Sequence, residues 1–145
     1  MNDIGNNIEY IRGEEIKKAL QLEYRQYLAG ELMNEQKYLK HIKSDIEIGL
    51  SFYSGFTANV PHKHPIATEY GFVLKGMVKI LMLDGTNIEK KFKEGDFFII
   101  KRNCGYASKN ASNTEVLFIK APGGNDKVCL EVEKNIKDWL ENDDF

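Results

Sequence analysis

Cysteine is scarce in this 145-residue chain, with Cys104 and Cys129 its full complement. Two are too few for a disulfide framework, and they lack CxxC spacing, so both are expected as reduced thiols. No run of about 18 apolar residues occurs, so no membrane span is expected. The opening MNDIGNNIEYIRGEE is polar and lacks the apolar core of a signal peptide, which points to the cytoplasm. Charge of one sign is not in excess either. A net charge of −2 gives no electrostatic case for nucleic acid as a partner. No internal repeat or low-complexity linker is visible, and Gly123-Gly124 lacks a phosphate-loop pattern.

What is present suits one soluble globular domain: 42% apolar residues and 29% charged ones. Residues 13–29, GEEIKKALQLEYRQYLA, carry Ile16, Ala19, Leu20, Tyr24, Tyr27 and Leu28 near helical spacing, with Gly30 as a stop. Glu14 and Glu15 sit where a helix dipole favours acids. From about 36 to 121 the period changes to alternation, as in Ile48, Leu50 and Phe52 or Val78, Ile80 and Met82. Turn signals separate these runs at Lys75-Gly76, Asp84-Gly85, Glu94-Gly95, Asn103 to Gly105 and Asn110 to Asn113, and Asp84-Gly85 predicts a two-residue hairpin. Short strands at this spacing, with no helix-length segment between them, predict an all-β antiparallel sandwich or barrel. Pro122 to Lys127 breaks the sheet, and 132–141 predicts a short helix with Val132, Ile136, Trp139 and Leu140 on one side. The expected organisation is a helical extension over 1–35, a barrel over 36–121, and a loop and helix over 122–145 packed on the same domain.

Two of the three histidines, His62 and His64, stand two positions apart. On a strand they project to the same face, close enough to share a cation. Glu69 has the wrong parity for one unbroken strand. Pro65 resolves this, because a bend over Pro65 to Thr68 starts a new strand and returns the carboxylate to the same space. Two imidazoles and a carboxylate suit a divalent transition metal (Fe, Mn, Ni, Co or Zn) and leave room for substrate. An HxH pair on a solvated strand face is the competing reading.

The stretch HKHPIATEYGFVLKG resembles the first motif of the cupin superfamily, with His62, His64, Glu69 and Gly76 matching in identity and spacing and Gly55 one residue further upstream than is common. GDFFIIKRNCGYASKN, residues 95–110, resembles the second motif at Gly95 and Asn110. Lys101 stands where proline is usual and Asn103 where glycine is usual; asparagine tolerates the left-handed turn conformation. Tyr106 stands where the last metal histidine is usual. The resemblance implies a small jelly-roll barrel with a metal inside one mouth, held by His62, His64, Glu69 and the residue at 106. It also implies a homodimer, to which the first 35 residues contribute or in which they cap the barrel.

Tyr106 has three readings: a phenolate ligand, a hydrogen-bond donor or general acid/base beside the metal, or an interior aromatic. His41, in a lysine-rich stretch, is a remote source of a further imidazole. Lys101 and Arg102 are candidates for a substrate carboxylate or phosphate, or a solvated turn. Cys104 is a candidate thiolate or a small buried side chain. The expected function is metal-dependent isomerase, epimerase or lyase chemistry on a sugar or a keto or hydroxy acid, with Glu69 or Tyr106 moving a proton and dioxygenation next in line. The other expectation is a non-catalytic cupin that binds a small molecule or sugar.

Overall fold

The computed structural model describes residues 7–145, so the first six residues of the polar N-terminus lie outside the described residues. Helix α1 (Gly13–Leu22) turns Ala19 inward and ends sooner than its spacing predicts. Glu23 is already extended, and Arg25–Ala29 forms strand β1, paired antiparallel with β2 (Glu47–Tyr53). The helix expected over 13–29 is therefore corrected. Tyr24, Tyr27 and Leu28 mimic helical spacing, but Arg25 and Tyr27 also fit the two-residue alternation of a strand, and pairing with β2 decides between them. Gln26, fully buried, fixes the junction by donating to the Ala19 carbonyl at 3.2 Å. Gln36 covers the free edge of β1. Its side chain accepts the Tyr27 N–H at 2.6 Å and donates to the Tyr27 carbonyl at 2.8 Å, bonds that a neighbouring strand would otherwise make.

The remaining strands are β3 (Thr57–Lys63), β4 (Thr68–Lys75), β5 (Met77–Met82), β6 (Glu89–Lys93), β7 (Phe97–Ile100), β8 (Tyr106–Asn110), β9 (Thr114–Ala121) and β10 (Val128–Cys129). They form two antiparallel five-stranded sheets, ordered β1-β2-β9-β4-β7 and β10-β3-β8-β5-β6. The expected all-β jelly roll is borne out. Strand β10 lies in the segment expected as loop and helix, where Val128 and Cys129 pair with Lys63 and His62. Among the described residues no helix is long and apolar enough to cross a membrane.

Two turns show why particular residues occupy them. Gly76, between β4 and β5, has φ +85°, and a Cβ there would lie 2.3 Å from the Thr114 hydroxyl. Both the backbone and the space require glycine. Asp84-Gly85 does mark the β5–β6 hairpin, but the connection runs from 83 to 88 rather than two residues. Asp84 Oδ1 accepts the Thr86 N–H at 3.1 Å and holds this longer loop.

Strand register arranges the interior in rows. Glu47, Lys120, Glu69 and Ile100 align across the first sheet; Tyr27, Gly49, Phe118, Gly71 and Phe98 form the next row; Arg25, Ser51, Val116 and Val73 the next. Val73, Val78, Ile80, Ile100, Tyr106 and Val116 make the buried cluster between the sheets. Helix α2 (Lys134–Glu141) packs outside the second sheet. Ile136, with Val132, Trp139 and Leu140, covers Leu81 and Ala107, as the sequence pattern predicts.

Candidate metal centre

The chain crosses from one sheet to the other between β3 and β4, bending at Pro65 and Ile66. This crossing solves the parity problem. His62 and His64 point inward from the end of β3, and Glu69 points inward from the facing sheet. One ring nitrogen from each histidine and one Glu69 oxygen lie within 4.8 Å of one another. His64 Nε2 is 3.3 Å and His62 Nε2 4.0 Å from Glu69 Oε1. Tyr106, opposite His62 on β8, adds its hydroxyl to the group. It lies 3.0 Å from His62 Nε2 and donates to Glu69 Oε1 at 2.7 Å. All four sequence-selected residues therefore meet.

The other nitrogen of each histidine sets its tautomer. His62 Nδ1 lies 2.6 Å from the Val60 carbonyl, and His64 Nδ1 lies 2.7 Å from Asp126 Oδ1. Both partners only accept, so each Nδ1 carries the proton and each Nε2 turns a lone pair into the cluster. Burial lowers the His62 pKa below its ordinary value, against the opposing pull of the Val60 carbonyl and of Glu69, and so favours the neutral ring.

Asp126 is the residue that motif reasoning missed. Its Oδ2 accepts the N–H groups of Ile66 at 3.1 Å and Ala67 at 2.9 Å, which pins the bend between β3 and β4. Burial pushes this carboxyl upward, but the Ala67 N–H, the His64 ring and the Ile66 N–H outweigh it and hold the pKa at about 2. Lys120 lies behind, 3.6 Å from both Asp126 and Glu47, and bonded to the Gly124 carbonyl. Burial raises the Glu47 pKa, with Lys120 acting against the rise. A chain of polar contacts thus runs from Glu47 on β2 through Lys120 and Asp126 to His64. The only available signal for Asp126 was an acid after a glycine pair, close to the end of the last long strand.

His62, His64, Glu69 and Tyr106, with Glu47 and Lys120, line a cavity of about 860 Å³ between the sheets. Arg25 lines it too. Its guanidinium donates from Nε to Ser51 Oγ at 3.0 Å and from Nη2 to the Tyr53 hydroxyl at 2.9 Å, with the Tyr24 and Phe118 rings each 5.4 Å away. Lys101 and Arg102 lie elsewhere, exposed on the turn between β7 and β8. In that turn Asn103 takes φ +62° in place of the expected glycine, and its N–H donates to the His64 carbonyl at 2.7 Å. Cys104 packs against the apolar cluster and Cys129 is exposed; both are free thiols. His41 is half-buried in the 35–43 segment, away from the cluster.

The donor set fits a cation. Metal bonds of about 2.0–2.2 Å put neighbouring ligand atoms roughly 3 Å apart, a spacing that the His64–Glu69 pair at 3.3 Å nearly has and that His62, 4.0 Å from Glu69, reaches by a small side-chain shift. A carboxylate and a carbonyl behind the two imidazoles supply the orienting partners such ligands need.

The cupin domain model matches residues 52–121. No curated protein matches the chain in sequence. Among solved structures, BH2720 from Bacillus halodurans superposes with a TM-score of 0.59 at 13% identity, covering 86% of this chain and 89% of its own. DMSP lyases RdDddP and RnDddQII give 0.57 at 14%, covering 74% of this chain and 52% of theirs. KdgF from Halomonas sp. gives 0.52 at 14%, covering 70% and 80%. At these identities the likeness is one of fold. The matched segment, the paired five-stranded sheets and the inward-facing first motif agree: the chain has a cupin fold, and residues 52–121, just under half of it, match the cupin domain.

Proposed function

We propose that the cavity binds a small polar metabolite, a sugar or a keto or hydroxy acid, and turns it over by metal-dependent isomerase, epimerase or lyase chemistry. The convergence of His62 Nε2, His64 Nε2 and Glu69 Oε1 inside the cavity carries this reading. A divalent transition metal held by these residues supplies Lewis-acid polarisation of substrate oxygens. Tyr106 and Glu69 are the proton-handling pair. Burial, and then the Glu69 charge, raises the Tyr106 pKa well above its ordinary value. That supports a neutral phenol donating to Glu69 rather than a phenolate ligand. In this role Tyr106 delivers a proton to charge that develops on the substrate, and Glu69 is the adjacent acceptor.

Untagged protein is expected to hold near-stoichiometric transition metal, much reduced in His62→Ala. Candidate sugars and keto acids incubated in D2O are expected to exchange a carbon-bound proton, with the exchange lost in Glu69→Gln and Tyr106→Phe. Protein that refuses metal on titration defeats the reading. Tyr106 in place of the usual histidine favours a second reading, a non-catalytic ligand-binding cupin; tight binding with no exchange or turnover would establish it.

A further inference from the structure

We propose that Arg25 anchors a carboxylate on the ligand, so that the cavity selects small metabolites with a single negative group. This rests on the preceding section only in taking the cavity as the ligand site.

Arg25 projects from β1 into the row it shares with Ser51. Its hydrogen bonds go to the hydroxyls of Ser51 and Tyr53, and the phenols of Tyr24 and Tyr27 act on it as well. Two rings flank the guanidinium. None of the ion pairs among the described residues involves Arg25. The contrast with Lys120, the other inward-facing cation, is direct, because Lys120 lies between two carboxylates. Lys127, also at the cavity, is exposed. A largely desolvated cation without a counter-ion is costly unless an anion arrives to pair with it.

The guanidinium has five N–H donors, and the bonds to Ser51 and Tyr53 use two of them. The planar fork suits a carboxylate. Glu47 and Glu69 also line the cavity, so a dianionic phosphate meets repulsion that a carboxylate meets less strongly. Arg25 and Tyr53 both act electrostatically on Tyr106, which places the anchor and the proton donor in one field. A ligand held by its carboxylate at Arg25 extends its oxygens toward His62, His64 and Glu69. The sequence hid this because Arg25 fell in a segment that reads as helix.

Calorimetric titration of matched pairs tests the proposal: lactate against lactamide, glucuronate against glucose, with inorganic phosphate alongside, each in metal-free and Mn(II)-loaded protein. In at least one pair the carboxylate is expected to bind tenfold or more tighter than its neutral partner. Arg25→Met should erase that preference, Arg25→Lys should keep part of it, and both should bind Mn(II) as the wild type does. Tyr53→Phe, which keeps the cation but frees the fork, should weaken the preference about threefold. Neutral partners binding as well as acids, or a preference that survives Arg25→Met, would overturn the assignment. Phosphate binding more tightly than the carboxylates through Arg25 would overturn it as well. Loss of Mn(II) binding in the wild type would defeat the metal reading alone, since the metal-free titrations still report on Arg25.

Discussion

His64 donates from Nδ1 to Asp126 at 2.7 Å, while Asp126 accepts two backbone N–H groups from the bend that separates β3 from β4. One carboxylate therefore sets the tautomer of a candidate ligand and the geometry of the crossing that brings Glu69 opposite it. Asp126→Asn preserves the shape and an acceptor but removes the charge, and its amide can turn a donor toward the ring. Metal affinity is expected to fall roughly 10–100-fold, as is usual when such an outer partner is lost. Mn(II) titration reads the loss, and an unchanged far-UV spectrum separates it from unfolding; an affinity equal to wild type would remove Asp126 from the site. His62, His64 and Glu69 were legible in sequence because eight positions hold all three, and one proline explains their parity. Asp126 was not legible. Its contact with His64 spans 62 positions and depends on where a glycine-containing loop lands. Tyr106 was legible as a position, but its burial and its bond to Glu69, on which the proposed proton-handling role rests, were not.

Helix α2 shows how an element is tied down by one side chain from another. Lys109 on β8 is 2% exposed and donates to the Trp139 and Asn142 carbonyls at 2.6 and 2.7 Å, with the Trp139 ring 4.3 Å away. A cation at the C-terminal end of a helix satisfies carbonyls that have no helical partner. Burial, followed by the Lys79 charge, lowers its pKa below the ordinary lysine value. Between that lowered pKa and the unfolded value of about 10.4, the unfolded chain binds more protons than the folded one. Stability attributable to Lys109 therefore rises with pH across that window. Lys109→Met is expected to lose about 1–3 kcal/mol at neutral pH through the orphaned carbonyls. Urea unfolding of both proteins at stepped alkaline pH should show the wild type gaining on the variant; a constant gap would contradict the linkage. The apolar face of α2 was legible from Ile136, Trp139 and Leu140. The opposite case is β1, where Tyr24, Tyr27 and Leu28 satisfy a helical period and Arg25 with Tyr27 a strand period; only the partner β2 breaks the tie. Local pattern cannot see that partner, because Ser51 lies 26 positions from Arg25.

Over the whole molecule, the alternation that fills the cavity also dictates what the first sheet shows outside. Leu50, Leu117, Phe72 and Phe97 form one outward row by register, and Ile48, Ile119, Tyr70 and Ile99 form the next. At the β7 edge Phe97 is 56% and Ile99 51% exposed. Two adjacent rows of apolar side chains across four strands, most exposed toward the β7 edge, form a contiguous apolar face of the kind that marks interaction surfaces. A second copy packing the same face against this one covers both patches with a single isologous contact. This face is therefore the expected contact of the homodimer that the family resemblance implies, an arrangement that leaves the cavity on the other side of the same sheet open to ligand. Sedimentation should give twice the chain mass for the wild type. Phe72→Glu combined with Ile99→Glu should give a folded monomer that still binds Mn(II), because neither residue faces the cavity. A wild type that sediments as a monomer at high concentration, or a dimer indifferent to both glutamates, would move the contact elsewhere.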